Sequence, residues 1–319
     1  MESNEKINMW GKPMIEISSP GVREIEDNHT TAVVRAIERM RRELANPLSL
    51  SDLATAGLFS PFHFHRIFRL ATTMTPARFL AALRMAQARR LLLHSELTVA
   101  AIGSRVGYTS NGTFTTQFTR LVGAPPLRFR ELARGLAGQV IDHLLSASGV
   151  VTPAQVSHPY GLTVVELRRA DDAGTPRSWC VAARSRAVWL DRTPAVGEYD
   201  ARVLLIDARA TPTDALVDDV PGTYLTGTVK LRLTPTGHLG SPAEITLRRP
   251  LPTDPPVLSI APLRWLADPA SSIRDGSHDL PDNDAQVCYQ LQTTSPPDPT
   301  WHGRPSTVHK RRRREAATS

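Results

Sequence analysis

The chain has 319 residues, of which 41% are hydrophobic and 22% charged, the composition of a soluble globular protein about two domains long. Its two cysteines, Cys180 and Cys288, lie far apart and match no metal-ligand spacing, which argues against a disulfide scaffold or a cysteine-built zinc site and makes a reducing cytoplasm the expected setting. Residues 1–13 are polar where a secretion signal needs an apolar run, and no stretch approaches the roughly 20 apolar residues that span a bilayer, so no membrane partner is expected.

The net charge of +7 is unevenly spread. Residues 28–135 hold 15 basic and 5 acidic side chains, a net of +10, whereas residues 136–284 carry a net of −4. All 15 of those basic residues are arginines, whose planar guanidinium fork suits phosphate and guanine edges better than an ammonium does, so the block should attract polyanions. Proline divides the chain at the same place, with 19 of 26 prolines after residue 135, and long helices are not expected there.

Helical signals run in order through the basic block. Val33, Ile37, Met40 and Leu44 recur at helical spacing before Pro47 stops them. A short helix over Leu50–Ala56 has Ser49 as N-cap and Asp52 three residues on, close to a capping box. Ser60–Pro61 and Thr75–Pro76 are both an N-cap followed by proline at the first helical position, the second opening a long helix to about Leu93. Thr98 caps another short helix that Gly107 breaks, and Ser110 begins one that ends at Val122 and Gly123.

One unit is written twice. Ser60, Phe64 and Phe68 align at an offset of 50 with Ser110, Phe114 and Phe118, and each restart follows a short helix so closely that only a helix–turn–helix corner fits. In the first unit Phe64, Ile67, Phe68 and Ala71 share an inward face, opposite Phe62, His65, Arg66 and Arg69. In the second, Phe114, Phe118, Leu121 and Val122 point inward, and Gly112, Thr115, Thr116 and Thr119 point out.

The strings SPFHFHRIFR (60–69), GYTSNGTFTTQF (107–118) and VGAPPLRFR (122–130) resemble the DNA-binding domain of the AraC/XylS family of bacterial transcription regulators, over about a third of the chain. The resemblance implies two recognition helices in successive major grooves of double-stranded DNA, held about one duplex turn apart by the long helix. It places Phe62, His65 and Arg66 on the base-facing positions of the first helix, with Arg69 on the same face, and Asn111, Gly112, Thr113 and Thr116 on those of the second. It further implies RNA polymerase as a partner, a cytoplasmic, nucleoid-associated location and no catalytic or cofactor chemistry. This sequence departs from the family twice. Leu58 stands where glycine is usual in the first turn, with Gly57 one place early, and Thr116 stands where many members have arginine. Threonine offers one hydroxyl and a methyl suited to thymine where arginine forks onto guanine, so the second helix is expected to read bases more weakly.

Other features receive plainer readings. His63 and His65 point away from each other on a helix and are not a metal pair. Arg41–Arg42 and Arg89–Arg90 are expected to be solvated or to face phosphates, and Trp179, Trp189 and Trp265 to be core aromatics. From Tyr160 the pattern turns extended, with strands expected at Leu162–Leu167, Trp179–Ala183, Arg202–Ile206, Tyr224–Leu233, Ala243–Leu247 and Val257–Ile260. Within 225–233 odd positions are apolar or glycine and even ones polar, as in a half-buried strand. The turn at 220–224 resembles that of carboxypeptidase-regulatory sandwiches, while an effector domain of the gyrase-inhibitor type ranks second.

The expected fold class is therefore multidomain, α plus β. An N-terminal extension (1–27) precedes an all-α double helix–turn–helix domain (28–135). A linker (136–159), a mainly-β, sandwich-like regulatory or dimerisation domain (160–285) and a disordered basic tail (286–319) follow. The acidic β domain should lie away from a duplex and bind a small-molecule effector or a second copy. The alternative from another class is a DNA-targeted alkyl-transfer repair enzyme, but neither Cys180 nor Cys288 is followed by the histidine that would help form a thiolate.

Overall fold

The structure, a computed structural model, describes residues 20–147, 161–169, 177–181, 187–189, 197–233, 243–267 and 290–294. Residues 1–19, Cys288, the acidic stretches at 171–172 and 275–284, and the tail from 295 with its Lys310–Arg314 run lie outside the described residues. The chain forms two compact units, residues 1–81 and 82–319.

The first unit begins with α1 (Pro20–Arg42), which buries Ala32, Val33, Ala36, Ile37 and Met40 along one stripe. Next come α2 (Leu50–Ala56) and α3 (Pro61–Thr72). The Ser49 capping box is complete: the Ser49 hydroxyl accepts from the Asp52 N–H, and the Asp52 carboxylate accepts from the Ser49 N–H. Arg39 of α1 donates to the Asp52 carbonyl, tying the two helices. The turn between α2 and α3 explains the misplaced glycine. A Cβ on Gly57 would sit 3.0 Å from Ala32 Cβ, so α1 packs tightly against the glycine, whose own backbone is right-handed at φ −100°, while the left-handed turn position one residue on is held by Leu58 at φ 61°.

The long helix α4 (Pro76–His94) carries the chain into the second unit. There α5 (Val99–Arg105), α6 (Asn111–Val122) and α7 (Pro126–Leu136) complete the helical block. Gly107 takes the left-handed turn position at φ 87°. Gly103 lets α5 and α6 meet, since a Cβ there would lie 3.1 Å from the Phe114 ring. Phe114, Phe118 and Phe129 form a ring-to-ring core, with centroids 5.7 and 5.8 Å apart.

Beyond α8 (Ile141–Ala147) the second unit becomes mainly strand. Strands β1 (Gly161–Arg169), β2 (Arg177–Val181), β4 (Gly197–Asp207) and β5 (Tyr224–Leu233) form an antiparallel sheet in the order β2-β1-β4-β5. Strands β3 (Ala187–Trp189), β6 (Ala243–Thr246) and β7 (Gln290–Thr294) form a mixed sheet in which β7 is central and β6 runs parallel to it. The two sheets meet at Gly227 of β5, where a Cβ would lie 2.6 Å from the Thr246 carbonyl oxygen. The same approach lets Thr226 exchange backbone hydrogen bonds with Arg248, which buries Thr226 against the expected alternation; Thr228, Lys230 and Arg232 face solvent as expected.

Val257–Ile260 is not a strand. It is an extended segment that runs into α10 (Ala261–Ala267), which carries the buried Trp265 and packs on α7. A further short helix, α9 (Pro212–Leu216), lies between β4 and β5.

Candidate nucleic-acid interface

Each corner sets its second helix by an N-cap and an aromatic underside. In α3 the Ser60 hydroxyl accepts from the His63 N–H and Pro61 opens the helix, while Phe64, Ile67 and Phe68 are buried. Thr72 completes that underside and hydrogen-bonds the Phe68 carbonyl; Ala71, placed inward by periodicity, is exposed, and Thr72 takes the buried position in its place. The opposite face presents Phe62, which is 85% exposed, with Arg66 and Arg69 exposed and His65 half-buried. Neither Arg66 nor Arg69 has a hydrogen bond or ion pair among the described residues. An exposed aromatic beside two unpaired guanidinium groups is unfavourable as plain surface and well suited to a groove edged with phosphates.

His63 packs inward. Its ring stacks on Phe59 at 5.1 Å and 5° and meets His29 edge-on at 5.4 Å, with Nε2 buried and unpartnered. Among the described residues no group of three potential ligands stands close enough to hold a metal ion.

In α6 the Ser110 hydroxyl accepts from the Thr113 N–H, and Phe114, Phe118 and Val122 are buried. Asn111, Gly112, Thr113 and Thr116 are all exposed, whereas Thr115, Thr119 and Leu121 are half-buried on the flanks. A Cβ at Gly112 would meet only Ser110 Oγ, at 3.8 Å, so packing within the protein does not require glycine there.

Not all of the arginine excess is available to a polyanion. Arg89, expected at the surface, is fully buried in the second unit. Its guanidinium lies over the Phe129 ring at 5.1 Å and donates to the carbonyls of Val257 and Leu216. Burial pulls its pKa down to about 10, opposed by the negative charge of Glu166, so it stays protonated at neutral pH. Arg90 donates to the Val217 and Asp218 carbonyls, and His94 Nε2 lies 2.8 Å from the Asp218 carboxylate. From α7, Arg130 donates to the Leu92 and Leu97 carbonyls and Arg134 to that of Ser95, closing the C-terminal end of α4. The resemblance had no signal for these roles, because the carbonyls that capture Arg89 and Arg90 come from residues more than a hundred positions away. Arg41 and Arg42 are exposed, as expected.

Each of the two compact units thus carries one capped helix–turn–helix corner with an aromatic underside and a polar outward face. Residues 53–132 match the family described as a helix-turn-helix domain. Over 92 residues the chain is 38% identical to the HTH-type transcriptional activator RhaR of Cronobacter sakazakii, covering 29% of this chain and 32% of that one. It is 33% identical over 95 residues to the MmsAB operon regulatory protein of Pseudomonas aeruginosa, covering 30% and 31%. Among solved structures, the DNA-binding domain of the global transcriptional factor AdpA in complex with a target DNA is similar at 27% identity, with a TM-score of 0.32, over 34% of this chain and 96% of that one. The helical block thus contains a helix-turn-helix domain and is similar in sequence to parts of proteins named as bacterial transcription regulators. The chain spans about a third of the length of the two regulators named here. No helix among the described residues is long and apolar enough to cross a membrane.

Proposed function

We propose that this chain is a sequence-specific transcription regulator in which α3 and α6 enter the major groove of duplex DNA. The carrying observation is the outward face of α3, with Phe62 and the unpaired Arg66 and Arg69 fixed on a capped helix. In this reading Arg66 forks onto a guanine, His65 contributes a hydrogen bond, Phe62 packs on a thymine methyl and Arg69 holds a phosphate. Asn111, Thr113 and Thr116 offer amide and hydroxyl contacts from α6, and Gly112 allows the backbone there to approach the duplex closely. The relatives are named as regulators, which favours this reading over a repair enzyme built on Cys180 of β2. The mainly-β part, read as a sandwich-like domain, senses a small molecule or pairs with a second copy, and RNA polymerase is the downstream partner.

Selection of bound duplexes from a random pool by the full chain tests the proposal. A two-part consensus is expected, with affinity falling on a log–log plot at a slope of about −0.9 per phosphate neutralised. Uniform recovery of all sequences at low salt would overturn it.

A further inference from the structure

The charge pattern places the mainly-β part away from DNA, yet that part makes direct backbone contact with the second recognition helix. The last turn of an α-helix leaves carbonyls without intrahelical donors. In α6 two of these terminal groups are satisfied from outside the helical block: the Ile260 N–H donates to the Val122 carbonyl at 2.8 Å, and the Arg264 guanidinium donates to the Gly123 carbonyl at 3.2 Å. Gly123 sits at φ 93°, its own N–H closing on Thr119, and a Cβ on it would lie 3.3 Å from Ile260 Cγ2. Ile260 is itself buried, so the chain reversal that ends α6 is seated on its side chain.

The contacting segment is anchored at its other end as well. Arg89 of α4 holds the Val257 carbonyl, and with Arg90 it also holds the carbonyls at the C-terminal end of α9. Residues 257–264 therefore bridge α4 and the end of α6, while α10, which they enter, packs on α7. The direction of α6 is set by this bracket together with the aromatic underside of the helix.

We infer that residues 257–264, through Ile260 and Arg264, position the second recognition helix, so that base preference at the half-site read by α6 depends on the mainly-β part of the chain. The inference rests on the reading of α6 as a base-reading helix. Neither residue touches DNA in this scheme; both are positioning residues. A ligand or partner that shifts the 257–264 segment would then alter reading at one half-site and leave the half-site of α3 unchanged.

Binding-site selection with full-length variants tests this. An Asn111→Ala/Thr116→Ala variant first identifies the part of the consensus that belongs to α6; if both parts of the consensus survive it unchanged, the reading of α6 itself fails. Given a consensus assigned in this way, Ile260→Ala/Arg264→Ala is expected to lower base preference in the α6 part by roughly 3- to 10-fold, the value of one or two modest hydrogen bonds, and to leave the α3 part at wild-type preference. Arg264→Ala alone, at an exposed position where folding is not at stake, should give a smaller loss of the same kind. Arg264→Lys, which keeps a donor for the Gly123 carbonyl, should restore most of it. Wild-type preference at the α6 half-site in the double variant, or equal weakening of both half-sites, would overturn the inference.

Discussion

Replacement of Arg89 by methionine probes the joint between the helical block and the mainly-β part. Methionine fills most of the same space beside Phe129 but removes two hydrogen bonds from a charged donor, each contributing about 1.5–3 kcal/mol. That loss, roughly 3–6 kcal/mol, is partly offset because a buried cation with an unpartnered Nε no longer has to be kept from water. Burial pulls the pKa down to about 10, which puts the relief near 3 kcal/mol at roughly 1.4 kcal/mol per pH unit. The balance is a destabilisation of up to about 3 kcal/mol, carried by the orphaned carbonyls of Leu216 and Val257. Hydrogen exchange followed by mass spectrometry is the suitable assay, because it reads the segments 212–218 and 257–264 separately from the rest of the chain. Exchange should rise in both segments in the Arg89→Met variant, with smaller changes in 30–72. Unchanged protection in both segments would show that the guanidinium does not hold them, and the reasoning about its carbonyl partners would be wrong.

Leu58→Gly should raise stability by up to about 1 kcal/mol, because Leu58 pays for a left-handed conformation while burying almost none of its side chain; a lower melting midpoint would refute this. Gly227→Ala should destabilise the strand region by at least about 1–3 kcal/mol, since its Cβ meets a backbone oxygen that cannot swing aside; denaturant unfolding with no change in midpoint would count against the close sheet contact. Arg66→Ala should cost about 1–3 kcal/mol at one base position and relax specificity there, and Thr116→Ala should cost less; equal losses in quantitative binding would remove the asymmetry between the two helices. Burial pushes the Asp254 carboxyl up, but the two-pronged Arg248 pair and the Leu251 N–H outweigh it and hold the pKa below the ordinary carboxylate value. A depressed acid stabilises the fold above its unfolded pKa and loses that contribution as pH falls through the folded one. Acid unfolding of Asp254→Asn should therefore show a shallower pH dependence than wild type below about pH 4, and identical profiles would contradict the pairing.

The local parts of this protein are legible in its sequence. Ser49, Ser60, Thr98 and Ser110 announce helix starts because capping involves residues three apart, and Phe64, Phe68, Phe114 and Phe118 announce buried faces because helical periodicity is intrinsic to the chain. The same locality makes strands at 162–167, 202–206 and 224–233 readable from their apolar runs and alternation. Three features depend instead on which distant segments meet. Gly57 stands one place before the left-handed turn position, packed so that a Cβ on it would lie 3.0 Å from Ala32 of a different helix, and Leu58 takes the turn itself. Val257–Ile260 reads as a strand by composition, but the Val257 carbonyl is taken by Arg89, the Ile260 N–H by the end of α6 and the Ile260 carbonyl by the Arg264 N–H as α10 begins, so both ends of the segment are bound outside any ladder. Arg89 and Arg90 look like surface charge in any count of the sequence. Their true partners are backbone carbonyls, which every residue possesses and no sequence pattern marks, so only the folding of distant segments against α4 decides which arginines are left exposed.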